Sequence, residues 1–369
     1  MLDAMGLGPI ETASRIAFAG PVVTLKAYGD MAGDRPVVVL VPAPIKRAYI
    51  WDLAPGASVV RLCLDRGLRV YLIQWEQPHS DEQEFGLAQY AEQIIVDCLQ
   101  AVEAETGHRR VLLAGHSLGG TLAAIFTALH RDRVRGLMLL GAPLHFGADV
   151  GAFGPMATLG RPSELPPAFP ANVTGSWLDV VSYAAAPLTF GWSRWTDWLL
   201  SLPDPRAHLT HLRVERWSLD ELSMPRRLYE ELTRLLYRED RLMRGTLRIG
   251  GRRVSPEMVC APLLNVVYPG CAVAPPDSVL PFHEAAGSSA KKLLWYAGDI
   301  GVALQHVGML VGRSARDDIW PEILRWMLSL AVVVHHGSTD ESHSEPYRSG
   351  PESFGQGDSH HSTCDRNLP

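Results

Sequence analysis

The feature that most constrains the fold of this chain is the motif Gly115-His116-Ser117-Leu118-Gly119, which has the pattern Gly-x-Ser-x-Gly. An apolar run over residues 111–114 leads into the motif, and a helical pattern over residues 118–130 leads out of it. A strand that turns this sharply into a helix strains the backbone at the serine and needs small residues two positions to either side. The motif predicts that Ser117 is a nucleophile at the carboxyl edge of a sheet, with the Leu118 N–H facing a developing oxyanion. The alternative is a glycine-rich turn that only brings a helix close to a strand.

Strands and helices alternate on both sides of this motif. The clearest helix has apolar residues at three- and four-residue spacing from Leu87 to Val102 and ends at Gly107. Short apolar runs predict strands, and the stretches between them predict further helices. The expected strands are residues 36–41, 69–75, 111–114, 136–140, 263–267 and 292–296, and the further helices are 56–68, 118–130, 278–286 and 319–330. This order predicts an α/β-hydrolase fold, in which helices flank a mostly parallel sheet.

The alternation stops between residues 147 and 254, a stretch rich in proline and tryptophan. No short strand is evident there and residues 220–241 have a helical pattern, so we expect a mainly helical cap inserted into the sheet domain. Residues 36–146 and 255–331 would then form the α/β-hydrolase core, preceded by an N-terminal segment, residues 1–35. Serine, glycine, histidine and acidic residues dominate positions 332–369, a composition typical of a disordered tail.

Charge and cysteine content narrow the functional class. The formal net charge is −6 at pH 7 without any basic run, so nucleic-acid binding is not expected. The 5 cysteines are scattered and form no Cys-x-x-Cys pair, which predicts neither a zinc site nor a disulfide framework and favours the cytoplasm. No apolar stretch reaches the roughly 18 residues of a membrane helix, so only peripheral contact with a lipid-like surface stays open. No cofactor or metal site is predicted.

A serine hydroxyl becomes a good nucleophile only when a base takes its proton, and in this fold the base comes late in the chain. His306 follows the strand expected at residues 292–296 and is the candidate base, whereas His283 falls within a predicted helix. The second N–H of the oxyanion hole must come from the loop after residues 36–41, and two residues of that loop are prolines, which have no N–H group. That leaves Ala43 or Ile45, of which Ile45 is preferred.

The residue that should orient the base is hard to identify. Asp277 is the only carboxylate in the loop after the strand expected at residues 263–267, so it is the candidate acid, although it is also placed to cap the next helix. After residues 136–140 no carboxylate occurs before Asp149, and Asp299 is close in sequence to His306. The acid is therefore the least determined member of the site.

Several stretches of the chain resemble polyhydroxyalkanoate synthases, especially the shorter kind that works with a partner subunit. The resemblance covers about residues 36–330 and is carried by Tyr49-Ile50-Trp51-Asp52-Leu53-Ala54-Pro55-Gly56, Val70-Tyr71-Leu72-Ile73-Gln74-Trp75-Glu76-Gln77-Pro78, Gly119-Gly120-Thr121-Leu122-Ala123-Ala124, Gly141-Ala142-Pro143, Pro262-Leu263-Leu264-Asn265 and His306-Val307-Gly308-Met309.

That family polymerises 3-hydroxyacyl-CoA thioesters on a cysteine that a histidine and an aspartate activate. By position, Ser117 stands for the family's cysteine, His306 for its histidine and Cys271 for its aspartate. The resemblance implies acyl-CoA as a possible substrate. It also implies a synthase subunit or the surface of a polymer granule as a possible partner.

The exchange of cysteine for serine changes the expected chemistry. A thiolate suits repeated thioester exchange, whereas an acyl-serine ester tends to end in hydrolysis. We therefore expect a serine-nucleophile hydrolase acting on hydroxyacyl esters or thioesters, with an apolar acyl pocket shaped by the tryptophan-rich cap. The alternatives are a synthase or acyltransferase that uses 3-hydroxyacyl-CoA, and a catalytically degenerate partner of a synthase or polymer granule.

Overall fold

The computed structural model describes residues 6–30, 33–155 and 172–332. The strands are, in chain order, β1 (Ser14–Gly20), β2 (Val23–Tyr28), β3 (Val37–Val41), β4 (Asp52–Ala54), β5 (Ala57–Ser58), β6 (Arg69–Trp75), β7 (Val111–His116), β8 (Val134–Leu140), β9 (Asn172–Val173), β10 (Met224–Pro225), β11 (Leu247–Ile249), β12 (Arg252–Val254), β13 (Leu263–Val267) and β14 (Lys291–Trp295). Eight of them form one sheet in the order β1-β2-β6-β3-β7-β8-β13-β14. All neighbours from β6 to β14 pair in parallel, and β1 and β2 pair antiparallel. The predicted α/β-hydrolase fold with a mostly parallel sheet is confirmed.

Helices cover both faces of this sheet. The α-helices of the described residues are α1 (Val59–Asp65), α2 (Ile94–Thr106), α3 (Leu118–Leu129), α4 (Gly175–Ala185), α5 (Ser193–Ser201), α6 (Pro205–Ser218), α7 (Arg226–Glu231), α8 (Pro276–Ala285), α9 (Gln305–Val311) and α10 (Trp320–Val332), of which α4 to α7 belong to the cap. Alternate residues of β3 point to opposite faces, so Val39 packs in the apolar cluster with α2 and α3, and Leu40 in the cluster with α1, α9 and α10. A sheet buried on both faces explains why its central strands are continuous apolar runs.

Two strands of the main sheet lie in the N-terminal segment, so the predicted core boundary at residue 36 is wrong. The residues of β2 add antiparallel to β6, and β1 forms the outer edge beyond β2. Because β1 is an edge strand with mostly exposed or half-exposed residues, it lacks the apolar run that identifies a buried strand.

The cap is mainly helical, with α4 to α7 in its described part and the π-helical turns Leu188–Trp192 and Leu232–Arg238 beside them. It also contains two short ladders, β9 with β10 and β11 with β12, which the sequence pattern did not predict. Ladders of two or three residues are too short to produce visible alternation. Gly250 and Gly251, at φ 54° and 79°, make the tight turn of the second ladder, and a Gly-Gly pair is a recognisable hairpin signal.

Some predictions concern residues that the structure does not describe. Of the expected disordered tail, residues 332–369, all but Val332 at the end of α10 lie outside the described residues, as do residues 156–171 of the cap. Within the described ranges, no helix combines the length and the apolar character needed to cross a membrane.

Candidate active site

Ser117 occupies a sharp turn between β7 and α3. Its backbone angles are φ 54° and ψ −134°, a strained conformation for a residue with a side chain. The Ser117 N–H donates to the Leu140 carbonyl at 3.0 Å, which ties the turn to the carboxyl end of β8. The side chain is half-buried and lines a cavity between the sheet and the cap. This is the geometry expected of a nucleophile elbow.

Both glycines of the motif must lack a side chain, because backbone atoms of neighbouring segments lie where a Cβ atom would be. A Cβ atom on Gly119 would lie 2.2 Å from the Val41 carbonyl oxygen and 2.4 Å from that of Pro42. A Cβ on Gly115 would lie 2.5 Å from the Gly120 Cα. The first turn of α3 is therefore packed directly against the end of β3, where the second oxyanion donor was expected.

His306, the candidate base, lies at the start of α9. It is the second residue of α9 and not a loop residue as predicted, because the helix begins immediately after Leu304, which caps it in extended conformation. His306 lines the same cavity as Ser117, and its buried Nε2 has no hydrogen-bond partner among the described residues. Burial, assisted by the neighbouring His116, holds the pKa of His306 well below its usual value, so the imidazole is neutral at neutral pH. His283, by contrast, lies in α8 with its Nδ1 2.9 Å from the amide nitrogen of Asn265.

Two residues near the elbow hold His306 in place, and neither was predicted to have a role. His116 donates its Nε2–H to the His306 carbonyl at 2.9 Å, and the two ring centroids are 4.7 Å apart. Burial lowers the pKa of His116 to about 4, so it remains a neutral donor. A Cβ on Gly141 would lie 3.3 Å from His306 Nδ1, which shows how closely the loop after β8 fits the imidazole. The position of His116 inside the Gly-x-Ser-x-Gly motif is the only sequence signal that could have indicated it.

Cys271 occupies the place where a catalytic acid would orient the base. Its Sγ is 3.2 Å from His306 Nδ1 and accepts the Ala274 N–H at 3.3 Å. Burial raises the pKa of the Cys271 thiol, against the lowering effect of the N–H groups of Ala274 and Val273. The partner of the imidazole is therefore a buried, neutral thiol.

The prediction that Asp277 supplies the acid is wrong. Asp277 is exposed in the first turn of α8, where a carboxylate stabilises the helix N-terminus, while the imidazole of His306 is buried against Cys271. Asp299 is not the acid either, because its carboxylate accepts hydrogen bonds from Ser314 Oγ at 2.7 Å and from Tyr296 Oη at 2.9 Å. The loop after β13 does hold the partner of the base, but that partner is a thiol and not a carboxylate.

The expected oxyanion donors lie around the same cavity. Leu118 is the first residue of α3, so its N–H has no acceptor within the helix. Ala43 and Ile45 both line the cavity, and the Ile45 carbonyl accepts the Leu222 N–H at 3.1 Å, which ties this loop to the cap. The structure leaves both residues as candidates for the second donor.

The cavity measures about 470 Å³ and its walls are mostly apolar. Of the cap tryptophans, Trp177 and Trp217 line it, whereas Trp192 and Trp195 do not and are 69% and 66% exposed. Lys46, on the loop after β3, also lines it but is paired with Asp179 at 3.0 Å and with other cap groups. Within the described residues, no group of three His, Cys, Asp or Glu side chains is arranged to hold a metal ion.

Comparison with known proteins supports this description of the fold. The family described as alpha/beta hydrolase fold matches residues 36–180. A putative lipase from Sulfolobus solfataricus superposes with a TM-score of 0.55 at 16% identity, covering 86% of this chain and 93% of the lipase. A soluble variant of monoglyceride lipase from Saccharomyces cerevisiae gives a TM-score of 0.52 at 11% identity, covering 87% and 94%. These likenesses concern the fold alone.

Curated proteins with sequence similarity point to one group. The chain is 27% identical to the poly(3-hydroxyalkanoate) polymerase subunit PhaC of Haloferax mediterranei, covering 86% of this chain and 63% of that protein. It is also 27% identical to the subunit of the same name from Synechocystis sp., covering 79% and 77%. In the similar subunit of Haloarcula marismortui the matched region is 60% of the protein, so this chain spans less than two thirds of some of these relatives. The chain is thus a polyhydroxyalkanoate-synthase-like protein of the α/β-hydrolase fold.

Proposed function

We propose that this protein is a serine-nucleophile hydrolase that acts on hydroxyacyl esters or thioesters. The observation that carries the proposal is that Ser117, strained at the elbow, and a neutral His306, whose buried Nε2 is uncommitted, line one apolar cavity. The apolar walls suit an acyl chain, and the two expected oxyanion donors, Leu118 and Ile45, line the same space.

The reaction would follow the usual course of acyl transfer. Ser117 Oγ attacks the acyl carbonyl while His306 Nε2 takes the hydroxyl proton, and the oxyanion accepts hydrogen bonds from the backbone N–H groups. The tetrahedral intermediate expels the alcohol or thiol, which takes the proton from His306, and leaves an acyl-serine ester. Water then attacks this ester with the same base, which releases the hydroxy acid and restores Ser117.

Cys271 limits this chemistry. A carboxylate at Nδ1 would select the tautomer with a bare Nε2 and stabilise the imidazolium that forms during attack. A neutral thiol carries no charge to do so, and as an S–H donor to Nδ1 it favours the tautomer with the proton on Nε2. We therefore expect slow turnover.

Labelling with a fluorophosphonate tests the proposal. We expect the reagent to modify Ser117, located by peptide mass spectrometry, and the Ser117→Ala variant to remain unmodified. Incubation with 3-hydroxybutyryl-CoA should then release CoA and free hydroxy acid. A folded protein that neither labels nor releases CoA would contradict the proposal.

The depressed pKa of His306 predicts an unusual pH profile. A lowered pKa keeps the base neutral as the pH falls, so the labelling rate should stay constant down to pH values below 6.5, the ordinary histidine pKa, and decline only below the folded pKa. The measurement is the second-order rate of labelling between about pH 4 and 8, on protein shown to be folded at each pH. A midpoint above 6.5 would show that His306 is not the base or is not buried in solution.

The named relatives support a second candidate, a synthase or acyltransferase that uses 3-hydroxyacyl-CoA. In that case a hydroxyl of a second hydroxyacyl group would replace water in the second step, and CoA release would be accompanied by growing polymer. Free hydroxy acid as the sole product excludes this candidate.

Exposed apolar residues of the cap support a third candidate, a binding partner of a synthase or of a polymer granule. They are Leu188, Trp192, Trp195, Leu199, Leu200 and Leu202. Contiguous exposed apolar surface commonly marks an interaction site. A protein that binds polymer granules while showing no CoA release and no labelling of Ser117 would favour this candidate over both enzymes.

A further inference from the structure

We propose that Asp197, on cap helix α5, is the positioning residue for His306, so that docking of the cap sets the orientation of the base. This inference rests on the proposed acyl-transfer function. It assigns a role to a buried carboxylate that lies outside the catalytic cavity and that no step of the mechanism uses.

Asp197 accepts three hydrogen bonds in a buried position. Its Oδ1 accepts the Gly301 N–H at 2.8 Å, and its Oδ2 accepts the Ala303 N–H at 2.8 Å and lies 2.7 Å from His211 Nδ1. Asp197 is 7% exposed and His211 2% exposed. Buried charge-assisted hydrogen bonds of this kind are short, strong and geometrically specific. The carboxylate therefore fixes the backbone of the loop between β14 and α9.

That loop is held in a conformation that it would not adopt unaided. Ala303 has φ 59°, which is uncommon for a residue with a Cβ, and Gly301 has φ 83°. A Cβ on Gly301 would lie 2.5 Å from the Ala207 carbonyl oxygen, so the loop passes directly against α6. Strained backbone persists only where several surrounding contacts hold it, and Asp197 accepts the N–H groups of both Gly301 and Ala303.

The loop is connected to His306 by only a few residues, so its position determines where the imidazole lies. Leu304 follows Ala303, and its carbonyl accepts the N–H of Val307 at 3.0 Å and of Gly308 at 3.2 Å, which forms the first turn of α9. His306 lies within this turn, so a displacement of Ala303 moves the imidazole relative to Ser117.

The other side of Asp197 is anchored in the cap. His211 Nε2 lies 3.8 Å from Glu215 Oε1, and Glu215 forms a two-pronged ion pair with Arg194, which lines the catalytic cavity. Arg194 also donates to Tyr183 Oη at 2.8 Å. Asp197 is thus the point where the polar network of α4, α5 and α6 meets the His306 loop.

The experiment compares Asp197→Asn with a matched control, Asp240→Asn. Asp240 is also a 7% exposed carboxylate that links the cap region to a core loop, through His145 Nδ1 at 2.8 Å and the Phe146 N–H at 3.1 Å, but it does not contact the His306 loop. We expect Asp197→Asn to slow fluorophosphonate labelling of Ser117 by about 100-fold, the effect of a displacement near 1 Å. Asp240→Asn should lower the melting temperature to a similar extent and leave the labelling rate within about threefold. Asp197→Glu, which keeps the charge, should recover part of the rate.

A double-mutant cycle separates positioning of the base from a general structural effect. If Asp197 acts through His306, then Asp197→Asn will not further slow the residual labelling of the His306→Ala variant. An equal reduction in both backgrounds, or labelling of Asp197→Asn at the wild-type rate, would overturn the inference. A wild-type protein that does not label at all would instead contradict the proposed function.

Discussion

Replacing Cys271 with aspartate is expected to accelerate acylation of Ser117 by about 10²- to 10⁴-fold, since losing the acid's charge in a serine protease costs about 10⁴ in turnover. Cys271 already lies 3.2 Å from His306 Nδ1, and the Ala274 N–H already points at its sulfur. A carboxylate in this place would accept the Nδ1–H, leave Nε2 bare and stabilise the imidazolium.

The second-order rate of fluorophosphonate labelling measures this gain, and Cys271→Asn is the matched control. Asparagine has the shape of aspartate without its charge, so it should give no increase. The aspartate should also raise the pKa of His306, because a nearby negative charge favours the protonated form, and the acid limb of the pH profile should move to higher pH. Equal rates for the two variants would show that the thiol does not occupy the position of the acid.

Replacing Gly119 with alanine is expected to damage both stability and activity. The added methyl group would lie 2.2 Å from the Val41 carbonyl oxygen and 2.5 Å from the Pro42 carbonyl carbon, and neither backbone atom can move without disturbing the central sheet. Overpacking of this kind should lower the free energy of unfolding by about 3 kcal/mol. Any shift of α3 that relieves the contact also displaces Ser117 from the loop after β3.

Gly191→Ala is the control for this prediction. A methyl group on Gly191 would meet no atom within 4 Å beyond its own helical turn and chain neighbours. Because Gly191 lies in the π-helical turn Leu188–Trp192, alanine should be neutral there or stabilise by up to about 1 kcal/mol. Denaturant unfolding and the labelling rate should both separate the two variants. Similar unfolding midpoints for them would mean that the elbow is less tightly packed than the structure indicates.

The sheet was predictable from the sequence because its central strands are buried on both faces. The strand expected at residues 263–267 coincides with Leu263–Val267, and the apolar run that was expected to end at residue 114 continues through His116 to the elbow. The N-terminal strands were not predictable in the same way, because neither has a continuous apolar run: β1 is a mostly exposed edge strand and β2 is an alternating strand of buried and half-buried residues. The place of β2 in the sheet depends on antiparallel pairing with a distant partner, β6, which local pattern does not report.

The nucleophile was predictable from backbone geometry, and the place of Cys271 beside His306 followed from the resemblance to synthases, in which Cys271 stands for the aspartate. The elbow needs glycines at fixed positions, so Ser117 and its N–H neighbour Leu118 follow from local sequence. The partner of His306 is determined by which side chain of the loop after β13 turns inward, and Cys271 does so with its sulfur held by the Ala274 N–H. Asp277 was the expected acid because a charge-stabilised base requires a carboxylate, and a thiol in this place contradicts that requirement.

The contact between Gly119 and the carbonyl groups of Val41 and Pro42 joins the nucleophile and the loop beside it into one rigid body built on the central strands. The base is held from two sides, by His116 of the elbow itself and, through the loop before α9, by Asp197 of the inserted cap. A change in the cap therefore acts on one of the two supports of the base and on no contact of the nucleophile with the central strands. Substitutions in the cap, or contacts between a ligand and the cap, can change the orientation of His306 and therefore the rate of proton transfer, while Ser117 stays in position. By this route one fold acquires different rates and products.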